Sequence, residues 1–288
     1  GAVFIRNGEP VFNPPQKPHF DQLPAFDWRL LPSLKPYGWR LYQLSRNCKW
    51  GCAFCMWSGG APRFKNIDTA IADISHISRN TKGNIGLLTA SITQNRGWFE
   101  EFISRVEPLK ITFSTDIRAD ETSRDDLIAL RRAGCREVLI GVESFSQRLL
   151  DAVNKRETVE KNIEIIRACN EVGLPSSVTL IFNIGETDRE VNEYVRAAKR
   201  CKPTHISPVI YKRLDGTRDI PAAGPLTEKL FWGTDPLPTP DDIDAALKRI
   251  DFFKKRTRHL KMRSLYWFGS RPHLWRNLIE LIKLKAGR

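Results

Sequence analysis

Short apolar or β-branched runs alternate with longer stretches of helical period along most of the chain. The runs WRLYQLS (39–45), NIGLLTA (84–90), KITFST (110–115), REVLIGV (136–142), SSVTLIF (176–182) and THISPVI (204–210) predict strands. Between them the period lengthens and predicts helices near 67–79, 97–106, 124–133, 146–153, 159–172 and 188–201. Local signals mark their ends: Ser123 and Thr187 stand as N-caps, Glu190 completes a capping box with Thr187, and Gly134 and Gly173 stop helices. Six strand-then-helix units in order predict an α/β fold, a parallel sheet with its helices outside. Six units rather than eight make an open, partial (βα)6 TIM-like barrel, with its chemistry at the carboxyl ends of the strands.

The flanks read differently. VFIRNGEPVF predicts a hairpin on Asn7-Gly8, and Pro14, Pro15, Pro18 and Pro24 then rule out regular structure. Residues 1–38 are therefore expected to be a hairpin and Pro-rich linker, 39–222 the barrel core and 223–288 a C-terminal helical extension. Within the extension, DDIDAALKRIDFFKKRTRHL (241–260) and PHLWRNLIELIKLKAGR (272–288) predict two amphipathic helices. Leu274, Trp275, Leu278, Ile279 and Ile282 share a face of the second, expected to pack on the barrel.

Hydrophobic residues at 41% and charged residues at 27% exclude a disordered chain. No stretch approaches the roughly 20 apolar residues of a membrane span, and the opening VFIRNGEPVFNPP is not a signal peptide, so a cytoplasmic protein is expected. The net charge of +13 favours acidic partners. It is spread along the chain, with clusters only at KKRTRHLKMR (254–263) and in the last helix, so solvated helical faces are favoured over a nucleic-acid surface.

Three of the six cysteines are gathered in RNCKWGCAFCMW (46–57), directly after the first strand. Cys135, Cys169 and Cys201 sit singly in apolar or helical settings and read as core or near-surface thiols. Cys48, Cys52 and Cys55 follow the spacing C-x3-C-x2-C and have no fourth partner in sequence. A structural zinc site wants four ligands, yet no second cysteine pair appears and His76, the nearest downstream histidine, falls in a helix. Three thiolates on a tight loop instead suit a cubane iron–sulfur cluster with one iron left open.

That spacing, with Phe54 just before the last cysteine, resembles the radical S-adenosylmethionine (SAM) enzymes. The resemblance implies that Cys48, Cys52 and Cys55 ligate a 4Fe-4S cluster whose open iron chelates the amino and carboxylate groups of SAM. An electron from the cluster would then split the sulfonium into methionine and a 5'-deoxyadenosyl radical that abstracts a hydrogen atom from a small-molecule substrate, which the sequence does not name. ADETSRDDLIALRRAGCREVLIGVESFSQRLLDAVNK (119–155) is similar to the third and fourth strands of the subgroup holding the oxygen-independent coproporphyrinogen oxidases, the methylthiotransferases and the cobalamin-binding enzymes. LIFNIGETDREV (180–191) and LDGTR (214–218) resemble its fifth- and sixth-strand segments.

Within that frame the resemblance implies that Glu143 and Ser144 lie near the ribose and methionine of SAM, and that Asn183 and Gly185 lie near its adenine. Glu186 belongs there too, or else to the positive start of the next helix. Arg118 and Asp120 either meet SAM and the cluster surround or form a loop salt bridge. Trp50, Met56 and Trp57 would shield the cluster or line the adenine pocket, and Tyr211 and Arg213 would face the substrate. One departure stands out: where the family commonly offers acidic or Gly-Gly-Glu residues after the second strand, this chain has LLTASIT (87–93), so Thr89, Ser91 and Thr93 supply only neutral oxygens. The first 38 residues resemble the connector from a cobalamin-binding Rossmann domain, which implies a cobalamin-dependent methyltransferase with that domain outside the chain. An acidic flavodoxin or ferredoxin is the expected electron donor. The charge leaves open a tRNA-modifying, methylthiotransferase-like enzyme, and the missing acids leave open a cluster-bearing binding protein whose SAM site has decayed.

Overall fold

The computed structural model describes residues 3–13, 20–23, 27–30, 39–80, 83–211, 228–229, 236–237 and 240–262. Its centre is a parallel sheet whose strands lie side by side in chain order: β1 (Trp39–Gln43), β2 (Asn84–Leu88), β3 (Phe113–Ile117), β4 (Cys135–Glu143), β5 (Ser176–Phe182) and β6 (His205–Ile210). Each neighbouring pair is parallel. The helices α1 (Ile67–Asn80), α2 (Arg96–Val106), α3 (Arg124–Arg132), α4 (Gln147–Ala152), α5 (Val159–Val172) and α6 (Asp188–Cys201) occupy the crossovers. This is the α/β partial barrel that the strand-then-helix rhythm predicts.

The two faces of the sheet are buried to different extents, and that difference makes a barrel with an open interior. Successive side chains on a strand point to opposite faces. On β1, Tyr42 is 4% exposed on the helix side, whereas Leu41 is 46% exposed on the other. On β3, Phe113 faces the helices and meets Phe102 of α2 edge-on at 6.4 Å. The interior face instead carries Ser114 and Asp116 of β3 and Leu88 of β2. Core packing lies between sheet and helices, and the interior remains available for chemistry.

Two details depart from expectation. The third strand starts at Phe113 rather than residue 110, because Lys110 takes a left-handed φ of 53° to end a short 3-10 turn over Glu107–Leu109. The region after 223 also extends the sheet instead of remaining purely helical. Helix α7 (Pro240–Arg256) seats Phe253 against Phe182 at 6.1 Å, and the chain then adds a seventh strand, β7 (Lys261–Met262), parallel to β6. Two residues are too short for a strand signal in sequence. Finally, the expected helix over 272–288, LDGTR and Arg213 lie outside the described residues.

Local signals at the ends hold. Val3–Arg6 pairs with Glu9–Phe12 through Asn7 at φ 53° and Gly8 at φ 84°, the two positive values that a type I′ turn requires. Ser123 and Thr187 both cap, each in a reciprocal box, with Asp126 and Glu190 respectively. Glu190 does more: its carboxylate also accepts from Ser146 Oγ at 2.5 Å and Arg148 Nη2 at 2.7 Å, joining α6 to the start of α4. Burial alone would raise this carboxyl, but Arg148, Ser146 and Thr187 outweigh burial and hold it at about 2. Among the described residues no helix is long and apolar enough to cross a membrane.

Because the folded group titrates below its unfolded value of 4.5, its contribution to stability is present above that value and fades as pH falls toward about 2. Glu190→Gln is therefore expected to lower the apo-chain's stability at neutral pH and to flatten its decline below pH 4.5. Urea denaturation followed by circular dichroism across that range measures both.

Candidate functional site

The cysteine loop leaves the carboxyl end of β1 and is bonded within itself. Ser45–Arg46 pairs antiparallel with Arg63–Phe64 at its base, and Asn47 turns the chain with a left-handed φ of 63°. Cys48 donates its N–H to Trp57 O at 2.8 Å, Gly59 to Trp50 O at 2.9 Å and Cys55 to Cys52 O at 3.2 Å. Two further bonds moor the loop to the segment after α4: Ala53 N–H to Val153 O at 2.9 Å, and Asn154 Nδ2 to Gly51 O at 2.8 Å. Phe54 packs against the core, while Met56 is 62% exposed.

Cys48 and Cys52 are buried and Cys55 is half-buried. Burial pushes the thiols of Cys52 and Cys55 up, and at Cys52 it is opposed by the charges of Lys155 and Arg118. Among the described residues no three Cys, His, Asp or Glu groups close around one ion-sized point. A tetrahedral zinc would draw its sulfurs to about 2.3 Å from a single centre. A cubane presents a separate iron to each thiolate, so three cysteines on one loop can serve it without sharing a single centre. His76 stays in α1, bonded to Asn80.

Arg118 is the hub of the site. It is 4% exposed at the end of β3, on the interior face. Its Nη1 lies 3.8 Å from Cys52 Sγ, and its guanidinium carbon stands 4.4 Å from the centre of the Trp50 ring. Nε pairs with Asp120 at 3.0 Å, and Nη2 donates to Lys155 O at 2.9 Å and approaches Glu157 at 3.2 Å. The loop salt bridge expected of Arg118 forms, and the same guanidinium also reaches the sulfur of Cys52. Trp50 is fixed in turn, its Nε1 donating to Glu121 at 2.8 Å beside Lys49.

Glu143 is aimed into the interior by the backbone. A bulge interrupts the pairing of β4 with β5 between Gly141 and Glu143, and Glu143 takes a left-handed φ of 63°. Its carboxylate folds back over Gly141, where any Cβ would collide with it. Burial pushes this carboxyl up, opposed by Lys155 at 3.6 Å and by Arg118. The partner a buried carboxylate demands is thus supplied within the chain. Ser144 turns away, its hydroxyl hydrogen-bonded with Tyr194 OH at 2.7 Å.

At the end of β5, Asn183 and Gly185 have φ of 68° and 92°. The Glu186 carboxylate accepts N–H from Asn183 and Ile184, each at 2.9 Å, and meets Arg249 of α7 at 3.3 Å. It stabilises the turn itself. Tyr211 is buried and donates its N–H to Phe182 O at 2.7 Å, continuing β6 beside β5. The hydroxyls after β2 are hydrogen-bonded in two sets: Thr89 with Ser45 at 2.7 Å, and Ser91 with Thr93 at 3.0 Å and Thr93 with Thr122 at 3.2 Å.

Sequence reading missed three members. Lys155 and Glu157 look like ordinary charges before a helix, yet they are 4% and 2% exposed, and burial pushes Glu157 up to about 7 despite both cations. Asp116 lines the interior one step below Arg118, where desolvation pushes it up to about 7 against the N–H groups of Thr89 and its own residue. The alternation Ser114, Asp116, Arg118 was the available signal. Several buried polar atoms near these strand ends have no partner, among them Asn183 Nδ2 and both amide atoms of Gln94. Buried thiols beside two cations, with orphaned donors and acceptors around them, fit a thiolate-bound cluster and a polar cofactor.

Fold and site together define an α/β partial barrel with a three-cysteine loop at the carboxyl end of its first strand. The sequence profile of the Radical SAM superfamily matches residues 42–198, and the chain belongs to that superfamily. It is 27% identical over 235 residues to an uncharacterized methyltransferase of Pyrococcus horikoshii, spanning 76% of this chain but 50% of that one. A bacteriochlorophyllide d C-8(2)-methyltransferase of Chlorobaculum tepidum is 26% identical over 179 residues, covering 54% of this chain and 38% of that protein. Among solved structures, the radical SAM methyltransferase TsrM of Kitasatospora setae, with cobalamin and a [4Fe-4S] cluster bound, superposes with a TM-score of 0.62 at 16% identity. That match covers 77% of this chain and 45% of TsrM. The cobalamin-dependent radical SAM enzyme OxsB superposes at 0.58 and 19% identity, over 72% and 33% of the two chains. The chain thus spans about half the length, or less, of the relatives it matches.

Removing Lys155 strands Glu143 and Glu157 without their shared cation. Lys155→Met is expected to destabilise the apo-chain by about 3–5 kcal/mol, read as a lower urea midpoint. Adding Glu157→Gln should recover part of that loss.

Proposed function

We propose that this chain is the cluster-binding barrel of a radical SAM methyltransferase that uses cobalamin as its methyl carrier. Residues 39–222 form the catalytic core in this reading, and a companion domain outside the chain carries the cobalamin. The observation that carries the reading is the buried C-x3-C-x2-C loop at the carboxyl end of β1, with Arg118 donating to the sulfur of Cys52 at 3.8 Å. The curated relatives named as methyltransferases and the cobalamin-bound structural neighbours support the finer assignment.

Cys48, Cys52 and Cys55 would hold a 4Fe-4S cluster, and Glu143, Asn183, Gly185 and Arg118 would surround SAM. When bound, cluster and SAM together supply one-electron cleavage of the sulfonium. The chain's own residues do the rest. Asn183 offers a buried amide donor with no partner, aimed from the end of β5. Burial pushes the Glu143 carboxyl up, and Lys155 at 3.6 Å opposes that push beside the proposed SAM position. Trp50, stacked on Arg118, excludes water from the Cys52 side. Leu41 and Leu88 give the interior apolar surface for a substrate below the cluster. An acidic flavodoxin or ferredoxin is the proposed electron donor, drawn by the +13 charge.

Anaerobic reconstitution with iron, sulfide, dithionite and SAM tests the reading. The wild type is expected to turn brown and to release 5'-deoxyadenosine, and Cys→Ala at position 48, 52 or 55 is expected to abolish both. A brown protein that yields no 5'-deoxyadenosine would instead favour a decayed SAM site, consistent with hydroxyls in place of acids after β2.

A further inference from the structure

The electrostatics around Cys52 point to a role for Arg118 beyond holding SAM. Hydrogen bonds to cluster sulfurs, local charge and exclusion of water set the potential of an iron–sulfur centre. Arg118 supplies all of them at one ligand. Its Nη1 is directed at Cys52 Sγ, its charge is permanent, and its face is covered by Trp50. The guanidinium cannot swing away, because Asp120, Glu157 and the Lys155 carbonyl occupy its other nitrogens. Lys155 also acts on Cys52, and it is pinned between Glu143 and Glu157. Cys48 and Cys55 have no contact from Arg118 among the described residues, so the influence falls on one corner of the loop.

We propose that Arg118 is a positioning residue that raises the reduction potential of the bound cluster through the sulfur of Cys52. This rests on the reading that the three cysteines hold a 4Fe-4S cluster. Reduction adds one electron from an external donor and changes no bond to the protein. The added negative charge spreads over the sulfurs, where a fixed guanidinium in a dry pocket stabilises it more than water-screened charge would. The carboxylates behind Arg118 moderate its charge without contacting the sulfur, so geometry as well as charge decides the effect.

Redox titration with dithionite under argon, followed by electron paramagnetic resonance, tests this on the reconstituted full chain without SAM. Arg118→Gln, at wild-type iron content, is expected to lower the equilibrium constant for one-electron uptake at least tenfold, which is ~59 mV more negative. Arg118→Lys keeps the cation but not the directed donor and should fall between the two. Arg132→Gln, an exposed arginine paired with Glu107, should leave the potential unchanged. A wild-type potential in iron-loaded Arg118→Gln overturns the proposal, as does Arg118→Lys loading iron with no shift while Arg118→Gln fails to load. Failure of both variants to fold or to bind iron would make Arg118 a structural residue and overturn it equally. A wild type that binds no iron would instead defeat the cluster reading.

Discussion

Everything at the carboxyl end of this sheet depends on how two buried cations are shared among buried carboxylates and a thiol. Arg118 and Lys155 are each 4% exposed, and Glu143 and Glu157 are 7% and 2% exposed. Removing such groups from water costs several kcal/mol per ion, so each survives only through contacts with the others. The burden shows as carboxyls pushed toward neutrality: Glu157 reaches about 7 even with two cations beside it. The network also joins elements distant in sequence. Arg118 follows β3, Glu143 ends β4, and Lys155 and Glu157 follow α4, while Cys52 belongs to the loop after β1. A single charge cluster thereby sets the relative positions of two strand ends, the segment after α4 and the cysteine loop.

That arrangement buries the cysteine loop while placing two cations beside Cys52. A desolvated thiol is hard to ionise, and the raised values at Cys52 and Cys55 record that cost. Cations beside a ligand lower the cost of its thiolate form. Trp50 completes the pocket, held by Glu121 on one edge and Arg118 on its face. On the other side of the strand ends, Asn183, Gly185 and Glu186 form a tight turn whose backbone is stabilised by its own carboxylate. The Asn183 amide nitrogen in that turn is buried without a hydrogen-bond partner. The barrel interior below carries Leu41, Leu88 and Asp116, a mixed surface on which Leu41 and Leu88 are exposed.

Membership of the radical SAM superfamily, the partial barrel and the three-cysteine loop form one consistent picture. The substitution of Thr89, Ser91 and Thr93 where acids are common is structurally coherent. Their hydroxyls are partnered within the chain, Thr89 with Ser45 and Ser91 and Thr93 in a set that ends at Thr122. Each hydroxyl keeps a lone pair, which allows a role toward a bound ligand without the charge that an acid would bring.

The strand and helix rhythm, the capping boxes at Ser123 and Thr187, the Asn7-Gly8 turn and the cysteine spacing were all legible in the chain itself. Each is written in residues near one another, where the period of a strand or helix and the reach of a capping side chain apply. The third strand was misplaced by about one turn because Lys110 takes a left-handed conformation that only its surroundings hold. The seventh strand is two residues long and exists only because β6 offers it an edge. Lys155, Glu157 and Asp116 gave no local sign of importance, since nothing in NKRETVE or STDI says that its charges are buried. Burial, the bulge that turns Glu143 inward and the meeting of Arg118 with Cys52 across 66 residues arise from long-range packing. Electrostatic energies in a protein depend on distance and solvent exposure, quantities that belong to the folded molecule rather than to its order of residues.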